Sequence, residues 1–245
     1  MAKKKFTDNF FEKGEEYFQK GSFQMAVTYF KRSAEELCND DAMARLGMFY
    51  RYGVGVEKNF DTAIHYFEEA IRLRNNGLAI YQIGDMYLHG EGFRRDFYEA
   101  YRWFERALDE DEPMAMWRMG QKYDTFSFKF DIDENPKKAF AWYKKAADLG
   151  NKDAAGKLGE MYYYGKGTAV DRDTGLIMMI GAALYSKVAQ SIINRLENHL
   201  WFAKRDGDSV AHQRLKELKA AYKVFARDGN AFAQHRLDNE DFLYI

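Results

Sequence analysis

Ala44-Arg-Leu-Gly-Met-Phe-Tyr-Arg-Tyr-Gly-Val-Gly-Val56 decides the fold of this chain. Ala42, Leu46, Gly47 and Tyr50 fall on one face of a helix, and Gly53-Val-Gly-Val56 then supplies residues that tolerate positive φ and can reverse the chain. The same arrangement recurs. Gly14, Gly47, Gly84, Gly120 and Gly159 are each followed three residues later by Tyr17, Tyr50, Tyr87, Tyr123 and Tyr162, at intervals of 33, 37, 36 and 39 residues. A period of that length marks an array of two-helix units.

Downstream of each glycine a second helix carries an alanine, an aromatic pair and another alanine. These are Ala26, Tyr29, Phe30, Ala34; Ala63, Tyr66, Phe67, Ala70; Ala100, Trp103, Phe104, Ala107; and Ala139, Trp142, Tyr143, Ala146. The fifth copy is weaker, with Gly175, Met178, Met179 and Ala182. The glycine-bearing helix is A and the aromatic-pair helix is B. Glycine inside a helix costs about 1 kcal/mol relative to alanine, so its recurrence predicts a place where two backbones come close. Gly90-Glu-Gly-Phe93 and Gly165-Lys-Gly-Thr168 repeat the turn of copy two, and Asp61, Asp96 and Asp171 or Asp173 stand where the caps of helix B are expected.

Together with Leu158-Gly-Glu-Met-Tyr-Tyr-Tyr-Gly-Lys-Gly167, the opening stretch resembles the Sel-one-like repeats (SLR), relatives of the tetratricopeptide repeats. The likeness covers roughly residues 6 to 187. It implies an all-α, right-handed α/α superhelical solenoid of helix-turn-helix repeats. The units expected are 1–38, tetratricopeptide-like; 39–75; 76–110; 111–149, with an aromatic insertion; 150–187; and 188–245, diverged repeat halves and cap. In that last part Arg205-Asp-Gly-Asp208 and Arg227-Asp-Gly-Asn230 each echo the junction at Gly150-Asn151.

A formal charge of -1, from 37 basic and 38 acidic residues, gives no nucleic-acid footprint. The longest apolar run, Leu176 to Leu184, is too short to span a membrane and reads as a buried helix B. The single cysteine, Cys38, excludes an intramolecular disulfide framework and reads as a buried or half-buried thiol, and cytoplasmic residence is expected.

No catalytic constellation stands out, and neither a cofactor nor a metal site is expected. Gly165-Lys166-Gly167-Thr168 lacks the first glycine of a phosphate loop, since position 160 is Glu160. No serine has lysine three residues on, the pattern that β-lactam chemistry would need. His65, His89, His199, His212 and His235 form no metal-binding pair, and Asp109-Glu-Asp-Glu112 reads as a solvated loop before Pro113.

The tetratricopeptide likeness places groove residues at -3, +1, +4 and +5 from each repeat glycine. The candidates for partner binding are Phe18, Arg51, Tyr52, Tyr81, Asp85, Leu88, His89, Trp117, Gln121, Asp124, Glu160, Tyr163 and Tyr164, with Tyr81, Trp117 and Tyr163 as anchors. Phe126, Phe128 and Phe130 alternate as in a strand and are accessory candidates. The expected role is a non-catalytic adaptor or scaffold that grips a peptide or protein segment. A hydrolase of the β-lactam or cell-wall type and an immunity or inhibitor protein are the alternatives. The segment Asp238-Asn-Glu-Asp-Phe-Leu-Tyr-Ile245 offers a route to self-association.

Overall fold

The computed structural model describes residues 9–124 and 134–238, and every regular element among them is a helix. In chain order these are α1 (Phe10–Gln19), α2 (Phe23–Leu37), α3 (Asp40–Tyr52), α4 (Phe60–Arg74), α5 (Gly77–His89), α6 (Phe97–Leu108), α7 (Pro113–Asp124), α8 (Pro136–Asp148), α9 (Lys152–Tyr164), α10 (Arg172–Ala183), α11 (Lys187–Arg205), α12 (Ser209–Arg227) and α13 (Ala231–Asp238). The chain forms two compact units, residues 1–115 and 116–245, with the boundary inside α7. Phe126, Phe128, Phe130 and the segment beyond Asp238 lie outside the described residues.

Within each repeat the A glycine and the second residue of the B pair are made for one another. A Cβ placed on Gly14 would stand 2.6 Å from the Phe30 ring, on Gly47 2.4 Å from Phe67, on Gly84 2.9 Å from Phe104 and on Gly120 2.4 Å from Tyr143. No side chain fits in that space. The expected backbone-to-backbone approach is therefore a backbone-to-ring approach in four copies, because the missing Cβ is replaced by the face of an aromatic. Only in the fifth copy, where Met179 replaces the ring, do two backbones meet. There a Cβ on Gly159 would lie 2.8 Å from the carbonyl oxygen of Gly175. Phe30, Phe67 and Phe104 are wholly buried, each worth about 1.5–3 kcal/mol of apolar burial. Tyr29, Tyr66 and Trp103, the first members of the pairs, are only partly buried.

The repeat tyrosine contributes its main chain as well. In all five copies its carbonyl accepts the N–H of the residue that caps helix B: Ser22 to Tyr17 at 2.9 Å, Asn59 to Tyr50 at 2.9 Å, Asp96 to Tyr87 at 3.0 Å, Asn135 to Tyr123 at 2.8 Å and Asp171 to Tyr162 at 2.9 Å. The intervening loop differs in length, yet both ends are tied at the same point. Helix A ends on a left-handed glycine in three copies, at Gly53, Gly90 and Gly165 with φ of 71°, 74° and 72°.

Asp96 and Asp171 cap α6 and α10 as expected, but Asn59 caps α4 through the N–H of Thr62 at 2.9 Å. Asp61 lies one residue inside that helix, where its charge complements the helix dipole instead. Pro113 and Pro136 open α7 and α8. Cys38 is exposed rather than buried, since it is the left-handed C-cap of α2 with φ of 49°. Glu112 also departs from a fully solvated loop. Its carboxylate accepts the Met114 N–H at 3.0 Å, and burial raises its pKa against that bond.

Beyond α10 the elements lengthen: α11 and α12 have 19 residues each. The echoed junctions hold Gly207 and Gly229 at φ of 93° and 83°, like Gly150 at 91°. Here a 22-residue spacing is one long helix plus a junction. On the far side of α11, Tyr222 Oη donates to Glu197 at 2.5 Å, and Arg236 of α13 completes a buried ion pair with that carboxylate.

Candidate functional site

The A helices carry the candidate groove residues, and helix geometry sorts them. At about 100° per residue, positions -3 and +4 share the face of the repeat glycine, which is the face turned to helix B. Position +5 lies well round from it and +1 lies at its edge. The burial follows this order except at Phe11, a -3 residue that is half-buried, and Asp85, a +1 residue that is buried. Ala44, Tyr81, Trp117 and Gly156 at -3 are buried, Glu15, Met48, Gln121 and Glu160 at +1 are half-buried, and Gln19, Tyr52, His89 and Tyr164 at +5 are exposed.

The three expected anchors are consequently inside. Tyr81, Trp117 and Tyr163 are 4%, 6% and 3% exposed, packed on Phe104, Tyr143 and Tyr164 with ring centroids 5.5, 5.0 and 5.0 Å apart. Among the groove candidates the aromatic rings open to solvent are Tyr52 and Tyr164, each 52% exposed.

In the first unit the structure brings Arg51, Tyr81, Asp85 and His89 together and adds two residues that the sequence reading missed. Arg51 donates from Nε to Glu91 at 2.7 Å, from one terminal nitrogen to Asp85 at 2.7 Å and from the other to Gln82 at 2.5 Å. Burial works against the guanidinium charge, but Tyr52, Asp85 and Glu91 outweigh it and hold the proton more firmly. Tyr81 Oη donates to Asp85 at 3.4 Å, and His89 Nδ1 stands 2.8 Å from the Asp85 main-chain oxygen. Leu88 packs at the edge of the core that holds Tyr81 and Phe104. Phe18 and Tyr52 line a separate apolar slot of about 100 Å³ with Arg45, Met48, Phe49 and Val54.

In the second unit Gln121, Asp124 and Trp117 line a larger recess of about 460 Å³ with Tyr143, Lys157 and residues of α11. Asp124 lies 3.0 Å from both Lys157 and Lys166. Burial opposes its charge, yet the two lysines together hold the carboxyl below the usual aspartate range. Glu160 sits between Lys157 at 2.7 Å and Arg195 at 3.0 Å.

The two clusters obey one rule with opposite signs. Arg51 stands at +4 of its repeat and reaches Glu91 at +7 of the next; Asp124 stands at +4 and reaches Lys166 at +7 of the next. In the first repeat the same two positions are apolar, and Phe18 and Val54 border one slot. Opposite charges at +4 and at +7 one copy later were the available signal for Glu91 and Lys166. Among the described residues no group of three or more His, Cys, Asp or Glu side chains could hold a metal ion. No described helix is long and apolar enough to cross a membrane.

Five helix pairs, four of them with a glycine-to-ring seat and the fifth with a glycine-to-glycine one, define an α-helical repeat protein of the SLR type. The family model for the Sel1 repeat matches residues 9–36, 40–75, 77–112, 113–151 and 152–183, and the chain belongs to that family. Among solved structures it is similar to a Sel1 repeat protein from Oxalobacter formigenes, with 29% identity over 71% of this chain and 49% of that one and a TM-score of 0.57. It is also similar to c5321, a protective antigen present in uropathogenic Escherichia coli strains that displays an SLR fold. There the identity is 23% over 96% of this chain and 49% of that one, with a TM-score of 0.58. The chain thus spans about half the length of both. Among curated proteins there is no match.

Proposed function

We propose that this chain is a non-catalytic adaptor that holds a protein or peptide segment against its A-helix faces. Repeats of this family generally mediate contacts between proteins. The observation that carries the reading is the sorting of the A-helix positions. Tyr52 and Tyr164 expose half of their surface at +5, among half-buried +1 side chains, while the neighbouring rings are packed away. Tyrosine combines a large apolar face with a polar tip, which suits it to an interface. The contact residues proposed are Tyr52 and His89 in the first unit, with Arg51 and Asp85 fixing the surface behind them, and Gln121, Glu160 and Tyr164 in the second, with Asp124 behind them.

A photoreactive phenylalanine placed at Tyr52 or Tyr164 in the native cell tests this. Partner crosslinks are expected from both positions and not from Tyr98, a B-helix residue that is 67% exposed. Crosslinks from Tyr98 alone would move the interface to the opposite helices.

A further inference from the structure

The recess of the second unit has a floor and a rim of different chemistry. Its floor is apolar, built from Trp117, Tyr143 and Ile192, all buried. Its rim carries Lys157, Lys187 and Arg195 with the neutral Gln121 and Ser191. At about 460 Å³ it falls within the size range of ligand sites.

The acids of the neighbourhood are already engaged. Asp124 is held by Lys157 and Lys166, Glu160 by Lys157 and Arg195, and Glu134 by Lys166 at 2.7 Å. Of the four cations Lys157, Lys166, Arg195 and Lys187, the last is the one without an acid partner; the further carboxylate nearby, Asp153, accepts the Ser186 hydroxyl at 2.6 Å. The exposed Lys187 ammonium has no ion-pair partner among the described residues. Arg195 is 64% exposed and gives one terminal nitrogen to Glu160, so other donors stay open to a ligand. Lys187 is also the first residue of α11, whose Ala189 N–H is capped by Ser186 at 2.9 Å.

We propose that this recess binds an acidic peptide segment in which aspartate or glutamate is followed directly by large apolar residues. The carboxylates take Lys187 and Arg195, and the apolar side chains cover Trp117 and Ile192. This rests on the adaptor reading above and names the chemistry of its ligand. A nucleic acid strand fits less well, because tracking its phosphates takes a run of unpaired cations and three of the four here are paired.

The octapeptide Asp-Asn-Glu-Asp-Phe-Leu-Tyr-Ile, which is the sequence of residues 238–245, has this order of charged and apolar side chains and serves as the probe. Labelled with fluorescein and titrated into the full chain by anisotropy, it should bind saturably. A version with its three acids replaced by lysine should bind at least about tenfold more weakly, as two lost and reversed ion pairs imply. The K187E/R195E double variant should lose about tenfold as well, and the difference should shrink as salt rises. Both residues are exposed, so the fold is retained, and R102E, at an exposed arginine of α6, should leave binding unchanged.

Equal binding to the wild-type chain and K187E/R195E overturns the proposal. So does an absence of saturable binding, or a preference for inorganic phosphate or an RNA oligonucleotide over the acidic peptide. If the peptide fails while Tyr164 still crosslinks a partner, the ligand chemistry falls and the adaptor function stands; if both fail, both fall.

Discussion

Replacing Arg51 by methionine removes a guanidinium that is 2% exposed and joins α3 to α5 and to the turn after it. Three acceptors lose their donor at once. The Asp85 side chain is 8% exposed and would keep its charge without the buried guanidinium, whereas Glu91 is 28% exposed and can turn to water. Breaking a buried ion pair from one side costs about 3–5 kcal/mol, against less than about 1 kcal/mol for an exposed pair. The larger figure applies to Asp85 and the smaller to Glu91, so R51M should destabilise the first unit by about 3–5 kcal/mol. Because the chain forms two units, a single melting curve is a poor readout. Hydrogen exchange of α3 and α5 reports the first unit directly, and protection there should fall by that free energy while α9 to α12 stay unchanged. The triple variant R51M/D85N/E91Q removes the stranded charges and should recover most of the loss. A cost below about 1 kcal/mol for R51M would show that water reaches the cluster and would refute the buried-pair account.

Two glycine substitutions should act with opposite sign. In Gly47→Ala the new Cβ would lie 2.4 Å from the Phe67 ring, so overpacking of about 1–3 kcal/mol exceeds the gain of about 1 kcal/mol in helix propensity. In Gly181→Ala the nearest atom, on Phe225, is 3.6 Å away, and propensity alone should stabilise by about 0.5–1 kcal/mol. Hydrogen exchange of α3 for the first variant and of α10 for the second checks the pair of signs. For Asp124 the folded-state pKa is depressed, so its contribution is fully present above the unfolded value near 3.8 and is lost as pH falls through the folded value. Protection of the second unit in the wild type should therefore decline below about pH 4 along a slope that D124N lacks. An unchanged slope in D124N would remove Asp124 from the clamp.

The array was legible because its determinants sit at fixed spacing. The glycine of helix A and the second aromatic of helix B must recur together, since each fills the space the other leaves, and such coupling repeats in the sequence whatever the partner. The charged clamps were harder to see for the opposite reason. What is kept between Arg51–Glu91 and Asp124–Lys166 is complementarity across one repeat, and a search for recurring residue types passes over positions whose sign reverses. The choice of anchors went astray at Tyr81, Trp117 and Tyr163 through a question of rotation. A list of groove positions carried from another repeat family takes no account of a glycine that turns the -3 and +4 side chains towards helix B. Copy one, expected to be tetratricopeptide-like, and copy four, expected to carry an insertion, close with the same bond. Ser22 and Asn135 reach the carbonyls of Tyr17 and Tyr123 at 2.9 and 2.8 Å, as the regular copies do. The helix pair is thus fixed by its seat and its tie, and the segment between them is free to vary. That freedom is where members of one repeat fold can acquire different partners, so a ligand is better sought in the side chains at +1, +5 and +7 than in the pattern that identifies the repeat.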